Sequence, residues 1–124
     1  MKSFHRVMVA TDLTPASGPA FRAAVEMAED GAELTIVHAY QPPNVAQVEA
    51  VAPALYEKWD RGLRADVERK LRPLVEGARR AGVDARALVL SGPSSVAIAQ
   101  AAKDNHADLL VMGTHGRGRV SRSS

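Results

Sequence analysis

Two short runs near the start of the chain most narrow what it can become: Arg6-Val7-Met8-Val9-Ala10-Thr11 and Leu34-Thr35-Ile36-Val37-His38-Ala39. Both are rich in β-branched residues, and the first is apolar at consecutive positions, so it has no polar face to turn to water. A strand of that kind belongs inside a parallel sheet covered on both sides. Between the two runs, Asp12 precedes Thr14-Pro15, which reads as a helix N-cap with proline at the first helical position. Ala20, Phe21, Ala24, Val25, Met27 and Ala28 then recur at helical spacing until Gly31 supplies a stop. Strand, helix and strand within about 35 residues form a βαβ unit, whose crossover is right-handed.

The same alternation continues. Gln41-Pro42-Pro43-Asn44 reads as a loop, and 45–55 has helical composition interrupted by Pro53, with Val45, Val48, Val51, Ala52 and Leu55 read as packing into the core. A longer helix is expected over 59–81, through Leu63, Val67, Leu71, Leu74, Val75 and Ala78. Pro73 should kink or break it, and Gly82 should end it. Ala85 to Leu90 is a third strand, and Gly92-Pro93 turns the chain. Ser94 or Ser95 then caps a helix with Val96, Ile98, Ala99 and Ala102 inward. A fourth strand, Asp108 to Met112, ends at Gly113, and Thr114-His115-Gly116-Arg117-Gly118-Arg119 is expected to be a glycine-rich loop. The order β-α-β-α-β-α-β predicts a doubly wound α/β sheet with helices on both faces. The chain stops where the next helix should begin, so the fourth strand is expected near an uncovered sheet edge.

Composition excludes several classes. The 124 residues make one domain, 46% of them hydrophobic and 24% charged, which is ordinary for a globular protein. No apolar run reaches the ~18 residues a membrane span needs, and the polar start Met1 to Arg6 shows no apolar leader. With no cysteine there is no disulfide framework and no thiolate chemistry. The expected location is the cytoplasm. Lys+Arg number 16 against 14 Asp+Glu, but Arg117, Arg119 and Arg122 all follow Gly113, leaving 13 bases against 14 acids before it. With the basic excess confined to one tail and aromatics at only 4%, a nucleic-acid partner is not expected.

The chemistry should sit at the carboxyl ends of the strands, where strand order reverses. Asp12 follows strand one, and Gly113-Thr114-His115-Gly116 follows strand four. Glycines there allow close approach of a ligand and positive φ, and successive N–H groups can form an anion nest, with Arg117 and Arg119 adding charge. Asp12 suits ribose hydroxyls or a base amine. On pattern alone, the glycine run is equally consistent with a plain turn and Asp12 with a capping residue. Neither a G-x-G-x-x-G fingerprint, a Walker A lysine nor a G-x-S-x-G elbow is present. The histidines have no metal-ligand spacing: His38 reads as a satisfied strand histidine, and His5 and His106 as surface positions.

These pieces together resemble the universal stress protein family along essentially the whole chain. Val7-Met8-Val9-Ala10-Thr11-Asp12, Leu34 to Ala39, Gly92-Pro93 and the block Asp108 to Gly118 carry the resemblance, and the last block is the most specific. It implies a doubly wound, three-layer sandwich of the adenine nucleotide alpha hydrolase-like type, with a five-stranded parallel sheet, in cytoplasmic proteins tied to stress survival and usually dimeric. Many members bind ATP through a loop G-x2-G-x9-G-[ST], whose first two glycines match Gly113 and Gly116. Carried over, Asp12 contacts the adenosine part, Ala10 and Ala39 lie near the base, Met112 lines the base pocket, and Gly113 and Gly116 hold ribose and phosphates. Thr11, His115 and Arg117 are nominated beside them from their place in the chain, His115 being equally consistent with a solvent-facing loop side chain. Nine residues beyond Gly116 the count passes Ser124, so the third glycine is missing. The domain spanning 1–124 is therefore expected to be incomplete at its C-terminus, without the last helix and the family's fifth strand, which commonly builds the dimer interface.

The resemblance implies an ATP-binding regulatory module, homodimeric when full length, with Mg2+ arriving only with the phosphates. No general base is evident, so any ATPase activity should be slow and no catalytic residue is nominated. The alternative is a nucleotide-free interaction protein on the same fold. Adenylyl-transferring enzymes of related folds carry an early His-x-Gly-His or Ser-Gly-Gly-type loop, which this chain lacks.

Overall fold

A computed structural model of the chain describes residues 4–41, 50–114 and 117–121, with backbone alone given from 114 onward. Five strands, β1 (Arg6–Ala10), β2 (Glu33–Tyr40), β3 (Asp84–Ser91), β4 (Leu109–Thr114) and β5 (Arg117–Ser121), form one sheet in the order β3-β2-β1-β4-β5. The first four are parallel, as the βαβ reading requires. Three helices lie wholly within the described residues: α1 (Gly18–Ala28), α2 (Pro53–Arg80) and α3 (Ser94–Asp104).

The alternation of strand side chains sorts the core into two layers. Val7, Val9, Leu34 and Ile36 face α1 and α2, where Ala20, Ala24, Val67 and Leu71 meet them. Met8, Ala10, Val37 and Ala39 point the other way, onto Ile98, Ala101 and Ala102 of α3. A strand apolar on both faces is thus buried on both, and the sandwich has three layers. Among the described residues no helix is long and apolar enough to cross a membrane.

The structure corrects several expectations. Gly113 does not end β4: the strand runs on to Thr114, and 117–121, expected as loop, return as an antiparallel fifth strand with Gly113 opposite Gly118. This strand occupies the free edge of β4 and satisfies a row of its backbone groups, so β4 is an inner strand rather than one at an open edge. Helix α2 starts at Pro53, with proline in its first turn, and continues through Pro73 as a single element. Gly82 does take the left-handed conformation that ends it, at φ 86°. In α3 the inward residues are Ile98, Ala101 and Ala102, while Val96 is 67% exposed and Ala99 is exposed. Residues 45–49 lie outside the described residues, as does Pro42-Pro43-Asn44; Val51 and Leu55 are exposed rather than core.

At the amino end of the sheet, Asp108 stitches β1 to β4. Its carboxylate accepts the backbone N–H of His5 at 2.8 Å and of Arg6 at 3.0 Å. Burial pushes the Asp108 carboxyl up, but those N–H groups outweigh it and hold it below the usual carboxylate range. Asp108→Ala strands both donors and is expected to cost about 1–2 kcal/mol in urea unfolding at neutral pH.

Candidate functional site

Strand order reverses between β1 and β4: β2 and β3 lie beyond β1 on one side, while β4 enters on the other. Such a reversal opens a crevice at the carboxyl ends of the strands. Ala10 and Met112 are partners across it. A cavity of about 150 Å3 opens there, with apolar walls from Ala10, Ala39, Ile98 and Met112. Its polar wall comes from Thr11, Asp12, His38 and Ser94, and Gly113 borders it. Six nominated positions (Ala10, Thr11, Asp12, Ala39, Met112 and Gly113) therefore share one cavity. His115 and Gly116 lie outside the described residues, and Arg117 is described only as backbone of β5, opposite Thr114.

Asp12 organises the turn that follows β1. Its Oδ1 accepts the Thr14 backbone N–H at 2.9 Å, the Thr14 hydroxyl at 2.6 Å and the Ser17 hydroxyl. Ser17 Oγ in turn accepts the Asp12 N–H at 2.9 Å. The Ser17 and Thr14 hydroxyls hold the Asp12 carboxyl below the usual carboxylate range, against an upward push from burial, so it is ionised at neutral pH. Thr14 was expected to cap the helix, but its hydroxyl goes to Asp12 and makes no cap bond. A 3-10 turn, Pro15–Ser17, intervenes before α1 begins at Gly18. Asp12 is thus a turn-forming residue that also borders the cavity.

The chain matches the universal stress protein family model over residues 3–123. It belongs to the universal stress protein family. A Thermus aquaticus relative, the universal stress protein in the QAH/OAS sulfhydrylase 3′ region, is 40% identical over 103 residues, covering 79% of this chain and 69% of the relative. A protein from Mycobacterium tuberculosis H37Rv superposes with a TM-score of 0.62 at 25% identity, over 91% of this chain and 73% of that one. A universal stress protein crystallised in complex with cAMP gives a TM-score of 0.61 at 24% identity, over 87% and 70% of the two chains.

In this universal stress protein, Gly113 does not use its freedom of φ. Among the described residues the left-handed glycines are Gly31, Gly82 and Gly92. What Gly113 supplies is closeness: a Cβ there would meet Ala20 Cβ at 3.3 Å, Ser17 Cα at 3.5 Å and the Ala16 carbonyl at 3.7 Å. The strand therefore lies directly against the turn that Asp12 organises.

Sequence reasoning missed His38, Ser94 and Ile98 as cavity residues. His38 is satisfied, as expected, with Nδ1 2.7 Å from the Thr11 carbonyl. A carbonyl only accepts, so Nδ1 carries the proton, and Nε2 is an acceptor in the neutral ring. Ser94 opens α3, which has no acid in its first turn, so its partial positive charge sits beside the cavity. The readable signal for both was position: His38 lies near the carboxyl end of β2, and Ser94 follows β3. Among the described residues no cluster of three His, Cys, Asp or Glu could hold a metal.

Proposed function

We propose that this universal stress protein binds an adenine nucleotide in the crevice between β1 and β4, as a regulatory module of the ATP-binding type. The observation that carries the reading is the convergence of Ala10, Thr11, Asp12, Ala39, Met112 and Gly113 on one cavity. The chemistry fits. Apolar walls from Ala10, Ala39, Ile98 and Met112 suit the faces of a purine, and the ionised Asp12 suits ribose hydroxyls. The Thr14 and Ser17 hydrogen bonds all fall on Oδ1, so Oδ2 is the oxygen that would meet a ligand. At about 150 Å3 the cavity is below the ~300–1,000 Å3 of pockets that enclose a whole ligand. It accommodates the base, with ribose and phosphates extending past Gly113. Magnesium enters with the phosphates. The relative bound to cAMP supports adenine recognition on this fold.

Calorimetric titration with ATP, ADP, AMP and cAMP tests the proposal. Saturable binding at one site per chain is expected, with AMP keeping most of the affinity because base and ribose contacts dominate. No saturable heat from any of the four would turn the reading to the nucleotide-free interaction protein.

A further inference from the structure

We propose a second ligand site in this protein, a cavity behind the loop that follows β1, suited to a small apolar molecule bearing one anionic group. The inference does not rest on nucleotide binding. The cavity lies between α1, α2 and the 3-10 turn and measures about 480 Å3, against about 150 Å3 for the crevice. That size is within the ~300–1,000 Å3 range of small-molecule pockets. Its walls are mostly apolar: Leu13, Phe21, Pro73 and Leu74. Leu13, Phe21 and Leu74 are only partly buried against the core, so an apolar occupant would remove their remaining surface from water.

One charged side chain lines the cavity, Lys70. Its ammonium is 3.1 Å from Asp66, in a pair whose lysine side chain is 58% exposed. Exposed pairs add little to stability, and Asp66 keeps Arg69 as a partner if Lys70 turns to a ligand. Arg22 adds a second cation nearby, with its guanidinium against Gly18 on the cavity wall. The balance on this side therefore favours an anionic group over a neutral or cationic one.

The loop geometry supports a ligand role. Leu13 sits at φ 64°, a region bulky residues rarely adopt, and its N–H is fixed by the Thr11 hydroxyl at 3.0 Å. That backbone places the Leu13 side chain on the cavity wall. Thr11 borders both cavities, and Ser17, which bonds Asp12, borders this one. An occupant would thus press on the turn that fixes Asp12.

Octanoate and its uncharged counterpart octanol test the site, titrated into the whole chain and followed by methyl and aromatic NMR. Octanoate is expected to saturate shifts at Leu13, Phe21 and Leu74 with one equivalent bound, and octanol to bind several-fold more weakly, as an exposed cation allows. Lys70→Gln should abolish that preference while leaving octanol binding and the spectrum of the free protein unchanged; Lys70→Arg should keep it. Shifts centred instead on the exposed Leu55, Trp59 and Leu63, equal affinity for the two probes, or an undiminished preference in Lys70→Gln would each overturn the proposal.

Discussion

Gly113→Val is expected to lower stability and nucleotide affinity together. Valine suits an inner strand, and Gly113 needs no left-handed backbone, so neither effect comes from the strand itself. They come from what the new atoms meet: Ala20 Cβ within 3.3 Å and the backbone of Ser17 and Ala16 within 3.7 Å of the first added carbon. Ala20 and Ser17 are buried, so the turn must move as a unit. Overpacking of this kind typically costs about 1–3 kcal/mol. Moving Ser17 also withdraws a hydroxyl from Asp12, and adenine-nucleotide affinity is expected to fall at least tenfold. Urea unfolding and calorimetry read the two effects separately. Gly113→Ala should show the same signs at smaller size, and adding Ala20→Gly to it should cost less than the sum of the two single substitutions, because the tightest contact is removed. Parent-like unfolding and binding in Gly113→Val would mean that the turn and β4 are not packed as described.

The parts of the fold that proved legible share a physical origin. A strand buried on both faces must be apolar at consecutive positions, and β1, β2 and β4 announce themselves within one or two residues for that reason, whereas the edge strand β3, buried only at Ala85 and Val89, is marked by its apolar run Ala87 to Leu90. β5 has no such mark. Its Arg117-Gly118-Arg119 looks like loop chemistry, and it becomes a strand through pairing with β4, a tertiary effect. The buried face of α3 was misjudged because alanines at 97, 99, 101 and 102 fit more than one stripe. At the site, strand ends and resemblance together found Asp12 and Gly113. The sequence could not show that Asp12 Oδ1 is already engaged by Thr14 and Ser17, or that Gly113 is small for the sake of Ala20. It also could not place the first turn of α3 beside His38, since that needs the crossover from β3 to β4.

Asp12→Ala carries the largest expected effect on binding. The substitution removes the acceptor of three hydrogen bonds that shape the turn, together with the carboxylate proposed to hold the ribose. Asp12 is exposed, so water recovers part of the loss, and the stability cost should be about 1 kcal/mol, like the removal of a helix cap. Binding has no such recovery, because the turn and a ligand contact go together. A loss of at least tenfold, about 1.4 kcal/mol, is expected. Asp12→Asn separates the two roles: its amide oxygen can still accept the Thr14 N–H, so stability should stay nearer the parent while affinity falls. The pH dependence follows from the sign of the shift. The folded carboxyl titrates below its unfolded value of about 3.9, so its stabilising contribution is complete above that value and is lost as pH falls through the lowered one. The stability gap between the parent and Asp12→Ala should therefore be full at pH 7 and narrow only in strong acid. A gap that closes near neutrality, or is absent at pH 7, would remove Asp12 as the organiser of the turn.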